Sequence, residues 1–295
     1  RAVRSCLIEG CFAVQILREI KALRQSISAL RASGARIALV PTMGALHEGH
    51  MALVEAARER ADHVVASIFV NPKQFGPQED LDAYPRQEAQ DAAMLAEHGV
   101  TLLWAPAIAE MYPVGFATTI SVSGVSAGLC GAARPGHFDG VATVVCKLLN
   151  QVQPDVALFG EKDYQQIAVI RRFVRDLDLP VEIIGVPTQR AADGLALSSR
   201  NAYMSAAERA AAAALPRILQ DIADRIVAGE DVATTLSAGI VTLLAEGFAS
   251  VDYLELCDAD TLESLHRLDR PGRLLVAARM GTTRLIDNIA VNPAL

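Results

Sequence analysis

Over the first two thirds of the chain, short and almost wholly apolar runs alternate with stretches whose apolar residues recur every three or four positions. Ile16, Ile20, Leu23, Ile27 and Leu30 follow the period of an amphipathic helix, and Ser33-Gly34 marks its stop. Residues 37–40 then predict a buried strand, and residues 48–60 a helix. Further strands are expected at 64–70, 100–104, 118–122, 155–159 and 181–185, with helices at 80–98, 140–152 and 164–177. Strands that are apolar on both faces belong in a parallel sheet covered by helices on each side. The order predicts an α/β fold, a doubly wound, mostly parallel, Rossmann-like sheet. After about residue 187 the texture changes to an Ala-rich helix over 205–228, a second over 232–246, and β-like runs at 251–257, 273–278 and 283–290. Two domains are expected, 1–187 and a small α+β domain over 188–295.

Composition narrows the function classes. The chain of 295 residues contains no uninterrupted apolar run long enough to span a bilayer, so no membrane partner is expected. Glu9 breaks the N-terminal apolar stretch, which argues against a signal peptide. A net charge of −7 argues against a nucleic-acid partner, which needs a broad basic face. The five cysteines (Cys6, Cys11, Cys130, Cys146 and Cys257) form no pair at motif spacing, as in a reduced cytoplasmic protein.

Five polar segments stand at strand ends, where ligands of open α/β sheets bind. The first is PTMGALHEGH, residues 41–50, with His47 and His50 where a strand gives way to a helix. Backbone N–H groups and the positive end of the helix dipole make such a junction an anion site. Gly44 and Gly49 would let a ligand approach the backbone. The zinc-protease pattern needs histidines four apart, not three, so that reading fails; local capping by the two imidazoles is the plain alternative. The second, FVNPKQF, places Asn71 and Gln74 at the end of the next strand, where Gln74 can both donate to and accept from a polar substrate.

In the third, RPGHF, Arg134 and His137 precede a helix. Arg134 would either meet a substrate or phosphate or form a structural salt bridge. The fourth, GEKDYQQ, runs Gly160, Glu161, Lys162 and Asp163 off a buried strand. Lys162 offers a mobile point charge for a phosphate, and one of Gln165 and Gln166 should face the pocket. In the last, DGLALSSRN, two hydroxyls and a guanidinium (Ser198, Ser199 and Arg200) can clamp a triphosphate. Ser205 is placed to cap the helix that follows.

In this order the five segments closely resemble the pantothenate synthetase (pantoate–β-alanine ligase) family, from about residue 16 to the C-terminus. The resemblance implies an H-x-G-H nucleotidyltransferase, the signature here being His47-Glu48-Gly49-His50. It implies an ATP-dependent ligase that joins (R)-pantoate to β-alanine through a pantoyl adenylate, releasing pyrophosphate and then AMP. It implies an ATP site formed by Met43, Gly44, Ala45, Leu46, His47, Glu48, Gly49 and His50. Gly160 to Asp163, the backbone of Gln189, and Leu197 to Arg200 would complete that site. His50 would be the proton donor, with His47, Lys162 and Arg200 around the phosphates. Gln74 and Gln166 would bind pantoate, Gln74 shared with β-alanine, with Asn71 and Arg134 beside them. Mg2+ would accompany ATP, and the enzyme would be a cytoplasmic homodimer whose residues 188–295 close over the nucleotide.

Two positions depart from the family's pattern: Leu129-Cys130-Gly131 stands where members often read Leu-Glu-Gly, and Gln189 where they often have an apolar residue. Rival readings are a transferase of the same superfamily with another acceptor, and a nucleotide sensor without turnover. Fold alone decides neither, but the glutamines favour pantoate, and a sensor has no use for His50, Lys162 and Arg200 together. A tRNA ligase would need a basic RNA-binding extension that this chain lacks.

Overall fold

A computed structural model describes residues 14–77 and 79–294. Cys6, Cys11 and the N-terminal stretch weighed as a signal peptide lie outside them. Six parallel strands form the main sheet in the order β1-β4-β3-β2-β5-β6. They are β1 (Gln15–Leu17), β2 (Ile37–Thr42), β3 (His63–Ile68), β4 (Leu102–Trp104), β5 (Val156–Gly160) and β6 (Glu182–Val186). The chain winds outward from β2 through β3 and β4, then returns to place β5 on the other side of β2. That reversal leaves a crevice beyond the carboxyl ends of β2 and β5, the usual ligand site of such sheets.

The apolar runs of β2 and β5 fill two cores, because alternate strand residues point to opposite faces. Ile37, Leu39, Ala157 and Phe159 join the core beneath α1 (Ile20–Arg31), α6 (His137–Val152) and α7 (Tyr164–Asp176). Ala38, Val40, Val156 and Leu158 join the opposite core, beneath α2 (Glu48–Arg58) and α3 (Glu88–Glu97). The short helices α4 (Ile108–Met111) and α5 (Cys130–Ala133) lie in the connection from β4 to α6.

A separate core packs α8 (Ala206–Ala212), α9 (Ala214–Val227) and α10 (Val232–Ala245) on an antiparallel sheet. The strands of that sheet are β7 (Ser250–Asp258), β8 (Gly272–Met280) and β9 (Thr283–Val291), in sequence order. The α/β sheet and the smaller α+β unit are thus both as expected.

Four elements differ from the sequence reading. Ile16 belongs to an edge strand paired with β4, not to the first helix. Three residues are too few for periodicity to separate the two states. The helix expected over 80–98 begins only at Glu88, because Pro85 disfavours helical backbone at the residue before it. The single helix expected over 205–228 breaks at Ala213. Pro216 lies four residues after Ala212, has no N–H and crowds that carbonyl. Residues 118–122 are not assigned as a strand and pair with none among the described residues.

Candidate active site

The turn from β2 into α2 fixes both histidines. His47 is the N-cap of α2, and its Nδ1 accepts from the Gly49 N–H at 3.1 Å. His50 returns the arrangement: its Nδ1 accepts from the His47 N–H at 3.3 Å. In each neutral ring the accepting nitrogen bears no proton, so the proton sits on Nε2. The rings stand 4.2 Å apart between centroids. The His50 imidazole is pushed down to about 3 by burial first, then by His47 and Lys162. His47 is lowered by burial and by Lys162. Both rings are therefore neutral hydrogen-bond donors at neutral pH. Capping and presentation are one arrangement here, not alternatives.

Asp91, fully buried on α3, accepts from the Ala45 and Leu46 N–H groups at 2.9 Å each. Those amides, expected to face a phosphate, are therefore consumed inside the protein. Gly44, Ala45 and Leu46 shape the turn without lining the cavity, and Glu48 is exposed outside it. Gly49 lines the cavity, but its lack of a side chain also serves the protein itself. A Cβ there would stand 2.8 Å from His47 Cε1, so glycine makes room for the imidazole.

Across the crevice, β5 ends at Gly160, where a Cβ would meet nothing within 4 Å. A single 3-10 turn over Glu161–Asp163 follows. Gly160, Lys162 and Asp163 line the cavity with both histidines. Glu161 does not; its carboxylate faces Arg273 at 3.4 Å. The adjacent glutamines divide as the sequence suggested. Gln166 faces the cavity, whereas Gln165 is buried and bonded to the backbone of Val125, Gly128 and Cys130.

Gln74 ends a short turn over Pro72–Gln74, and its amide reaches Met43 Sδ at 3.0 Å. The buried Asn71 donates to Gln74 Oε1 at 3.0 Å and to Gly140 O at 3.1 Å, and it accepts from Tyr112 Oη at 2.7 Å. Its side chain is thus spent on holding Gln74. Arg134, expected at the substrate, is likewise occupied. Nε and one terminal nitrogen grip Glu79 at 2.7 and 2.5 Å, and the other terminal nitrogen donates to His137 Nε2 at 2.9 Å. His137 Nδ1 then donates to Gln74 O at 2.8 Å. His137 is pushed down to about 4 by burial and then by Arg134. RPGHF therefore braces Gln74 through the salt bridge and, with Arg134 and His137 both lining the cavity, also forms part of its wall.

The third wall comes from the segment beyond β6. Gln189, Leu197, Ser198, Ser199 and Arg200 line the same cavity of about 240 Å³. Gln189 O already accepts from Leu197 N at 2.9 Å. The Ser198 side chain accepts from Arg200 N at 3.3 Å, and Arg200 forms a two-point pair with Asp80 at 2.9 and 2.9 Å. A second cavity of about 450 Å³ shares Lys162, Asp163, Gln166 and Arg200 with the first and extends to the smaller sheet. Asp91, Asp80 and His137 carry structural parts of the site that sequence reading did not assign. Asp91 sits in an otherwise ordinary helix, and only its burial betrays it.

The pantoate-beta-alanine ligase family matches residues 15–290. The chain is 65% identical over 281 residues to the pantothenate synthetase of Rhizorhabdus wittichii, covering 95% of this chain and 100% of that one. It is 59% identical over 278 residues to the pantothenate synthetase of Sphingopyxis alaskensis, covering 94% and 100%. Among solved structures, the pantothenate synthetase of Thermus thermophilus is similar at a TM-score of 0.89 and 49% identity, covering 95% of this chain and 100% of that one. The pantoate-beta-alanine ligase of Francisella tularensis, complexed with beta-gamma ATP and beta-alanine, is similar at a TM-score of 0.81 and 35% identity, covering 94% and 97%.

Proposed function

The chain belongs to the pantoate-beta-alanine ligase family, and from that premise we infer how its own residues carry out the reaction. The enzyme condenses (R)-pantoate with β-alanine at the expense of ATP, giving pantothenate, AMP and pyrophosphate. One observation carries the assignment of roles: His47, His50, Lys162, Gln74, Gln166 and Ser198–Arg200 all line one cavity at the reversal of the sheet.

In the first step a carboxylate oxygen of pantoate attacks the α-phosphorus of ATP. The bond to the β-phosphate oxygen breaks, and pyrophosphate leaves with the electron pair. A carboxylate is a poor acylating agent, and the adenylate supplies the leaving group it lacks. The protein's task is to align the reactants and to stabilise charge as it moves onto the pyrophosphate. Neutral His47 and His50 donate Nε2–H to phosphate oxygens, and Lys162 adds a full positive charge beside them. His50, the more strongly held in the neutral form, is the positioned donor.

Gln74 keeps one N–H and one lone pair free after its internal bonds, and with Gln166 it orients the pantoate hydroxyl and carboxylate groups. In the second step the free amine of β-alanine attacks the acyl carbon, a proton leaves the nitrogen, and AMP departs. Asn71 and Arg134 act through Gln74. Arg200 reaches the phosphates by sharing or exchanging its partner Asp80. Gln189 contributes its backbone N–H to the nucleotide site, and Leu197 an apolar wall.

Mg2+ fits this site as a companion of ATP. Among the described residues no group of three or more His, Cys, Asp or Glu side chains forms a metal cage. Asp163 faces the cavity without a cap bond to its own helix. Mg2+ characteristically takes one or two carboxylates and fills its other positions with phosphate oxygens and water. Bound there through Asp163, it would neutralise phosphate charge.

Residues 1–187 form the proposed nucleotide and pantoate domain, and 188–295 the part that closes over ATP, because Ser198–Arg200 face the cavity from beyond β6. A second copy of the chain is the proposed partner. The segment 118–122, rich in β-forming residues yet paired with no described strand, supports this reading, and sedimentation at twice the chain mass is its check. No described helix is long and apolar enough to cross a membrane. The free thiols of Cys130, Cys146 and Cys257 support a reducing, cytoplasmic location.

The test is an assay with three substrates and the product identified by mass. Pyrophosphate release should require both ATP and pantoate, and AMP release should also require β-alanine. Pyrophosphate formation indifferent to pantoate would exclude the pantoate site.

A further inference from the structure

The catalytic lysine stands on a single 3-10 turn, a short element with little rigidity of its own. What holds that turn comes from the other sheet. Asn288, on β9 and only 3% exposed, donates from Nδ2 to the carbonyl oxygens of Glu161 at 3.0 Å and of Lys162 at 2.9 Å. Both amide protons are thereby used on consecutive carbonyls of the lysine turn.

The carboxamide is itself held. Arg273 Nε donates to Asn288 Oδ1 at 2.6 Å, and the same guanidinium lies over the Tyr164 ring at 4.2 Å from its centroid. Because arginine only donates, the Asn288 oxygen must face Arg273 and the nitrogen must face the turn. The preceding residue on β9, Asp287, has a fully buried side chain and pairs with Arg190 at 2.7 and 2.9 Å. Arg190 also donates to Gly194 O at 3.0 Å, within the loop that leads to Ser198. Adjacent residues of one strand therefore fasten the lysine turn and the 190–197 loop, which leads into the Leu197–Arg200 wall of the cavity.

We propose that Asn288 is a positioning residue for the adenylation step, holding the Glu161–Asp163 turn so that the Lys162 ammonium stands where charge develops on the phosphates. The proposal rests on the role of Lys162 given above. It assigns the smaller sheet a part in the chemistry through a bond to the main unit, in addition to covering the nucleotide. Asn288 lines the second cavity but not the one that holds the histidines, and its proposed effect passes through the lysine.

A double-mutant cycle tests this, because a residue that acts only through Lys162 has nothing to act on once the ammonium is gone. Single-turnover pyrophosphate release is measured for the wild type, Asn288→Ala, Lys162→Ala and the double variant, at saturating ATP and pantoate. Asn288→Ala should lower the rate about 10- to 100-fold with Lys162 present, the scale of a reacting group displaced by an ångström. In the Lys162→Ala background it should change the rate less than about threefold. Asn288→Asp keeps the shape but cannot donate to the carbonyls; it enters the same cycle and answers the question if the alanine variant does not fold.

Equal losses in both backgrounds would overturn the proposal and leave the role of Lys162 standing. So would an unchanged rate in a folded Asn288 variant. Undiminished release by Lys162→Ala alone would overturn both readings at once.

Discussion

His50 is the proposed donor to the phosphates, and its surroundings fix the state of its ring. Its Nδ1 is occupied by the His47 amide at 3.3 Å, and burial holds the ring well below the ordinary imidazole range, at about 3. Replacement by alanine removes the positioned donor, so His50→Ala should slow adenylation by at least about 10²-fold. A near-normal rate would take the residue out of that role. The same shift governs stability in the ligand-free enzyme. The folded ring refuses a proton that the unfolded chain accepts near pH 6.5. Unfolding therefore takes up protons between roughly pH 6.5 and 3, and stability falls as the pH is lowered through that window. His137, held at about 4, adds to the same trend. Urea melts at pH 7 and pH 5 should show a smaller acid loss for His50→Ala than for the wild type; an equal loss would contradict the burial argument.

Gly140 on α6 shows how an element places Gln74, the side chain proposed to bind pantoate. A Cβ at this position would run into the Lys73 carbonyl oxygen and stand 2.7 Å from Gln74 Cα. The helix therefore seats the Pro72–Gln74 turn directly on its backbone. Gly140→Ala should push that turn outward, costing about 1–3 kcal/mol of stability and raising the pantoate KM at least about tenfold. A variant with an unaltered pantoate KM would separate the turn from the substrate. Sequence alone indicated that residues 71–74 stand at a strand end, but a glycine within a helical pattern does not announce what it touches.

The same limit runs through the other elements. The strands were legible because the runs at 37–40 and 155–159 are apolar on both faces, and the histidines and Lys162 followed from their strand ends, whereas the choice between Gln165 and Gln166 stayed open until the family resemblance named Gln166. Asp91, Asn288 and the Glu79–Arg134 pair were not, since their partners lie 46, 126 and 55 residues away in the chain. Local patterns give no sign of such pairings. Nor could they distinguish an arginine aimed at phosphate from one already spent on a carboxylate.

At the scale of the whole molecule, three cores and two sheets frame one cleft. The main sheet supplies the histidines and the lysine from either side of its reversal. The segment beyond β6 contributes the Ser198–Arg200 wall, and β9 of the smaller unit fastens the lysine turn. Cys130 lies at this junction: its Sγ is 3.1 Å from Tyr253 Oη and 3.5 Å from the Arg284 guanidinium. Cys130 lines the second cavity and not the one that holds the histidines, so it bears on how the two units meet.

The central claim is that pantoate is activated as an acyl adenylate, and the fate of its carboxylate oxygen tests that most directly. With pantoate labelled by 18O in both carboxylate oxygens, and with unlabelled ATP and β-alanine, mass spectrometry of the products should find one 18O in AMP and one in pantothenate. Label appearing in inorganic phosphate alongside ADP, or AMP carrying no label, would contradict attack at the α-phosphorus.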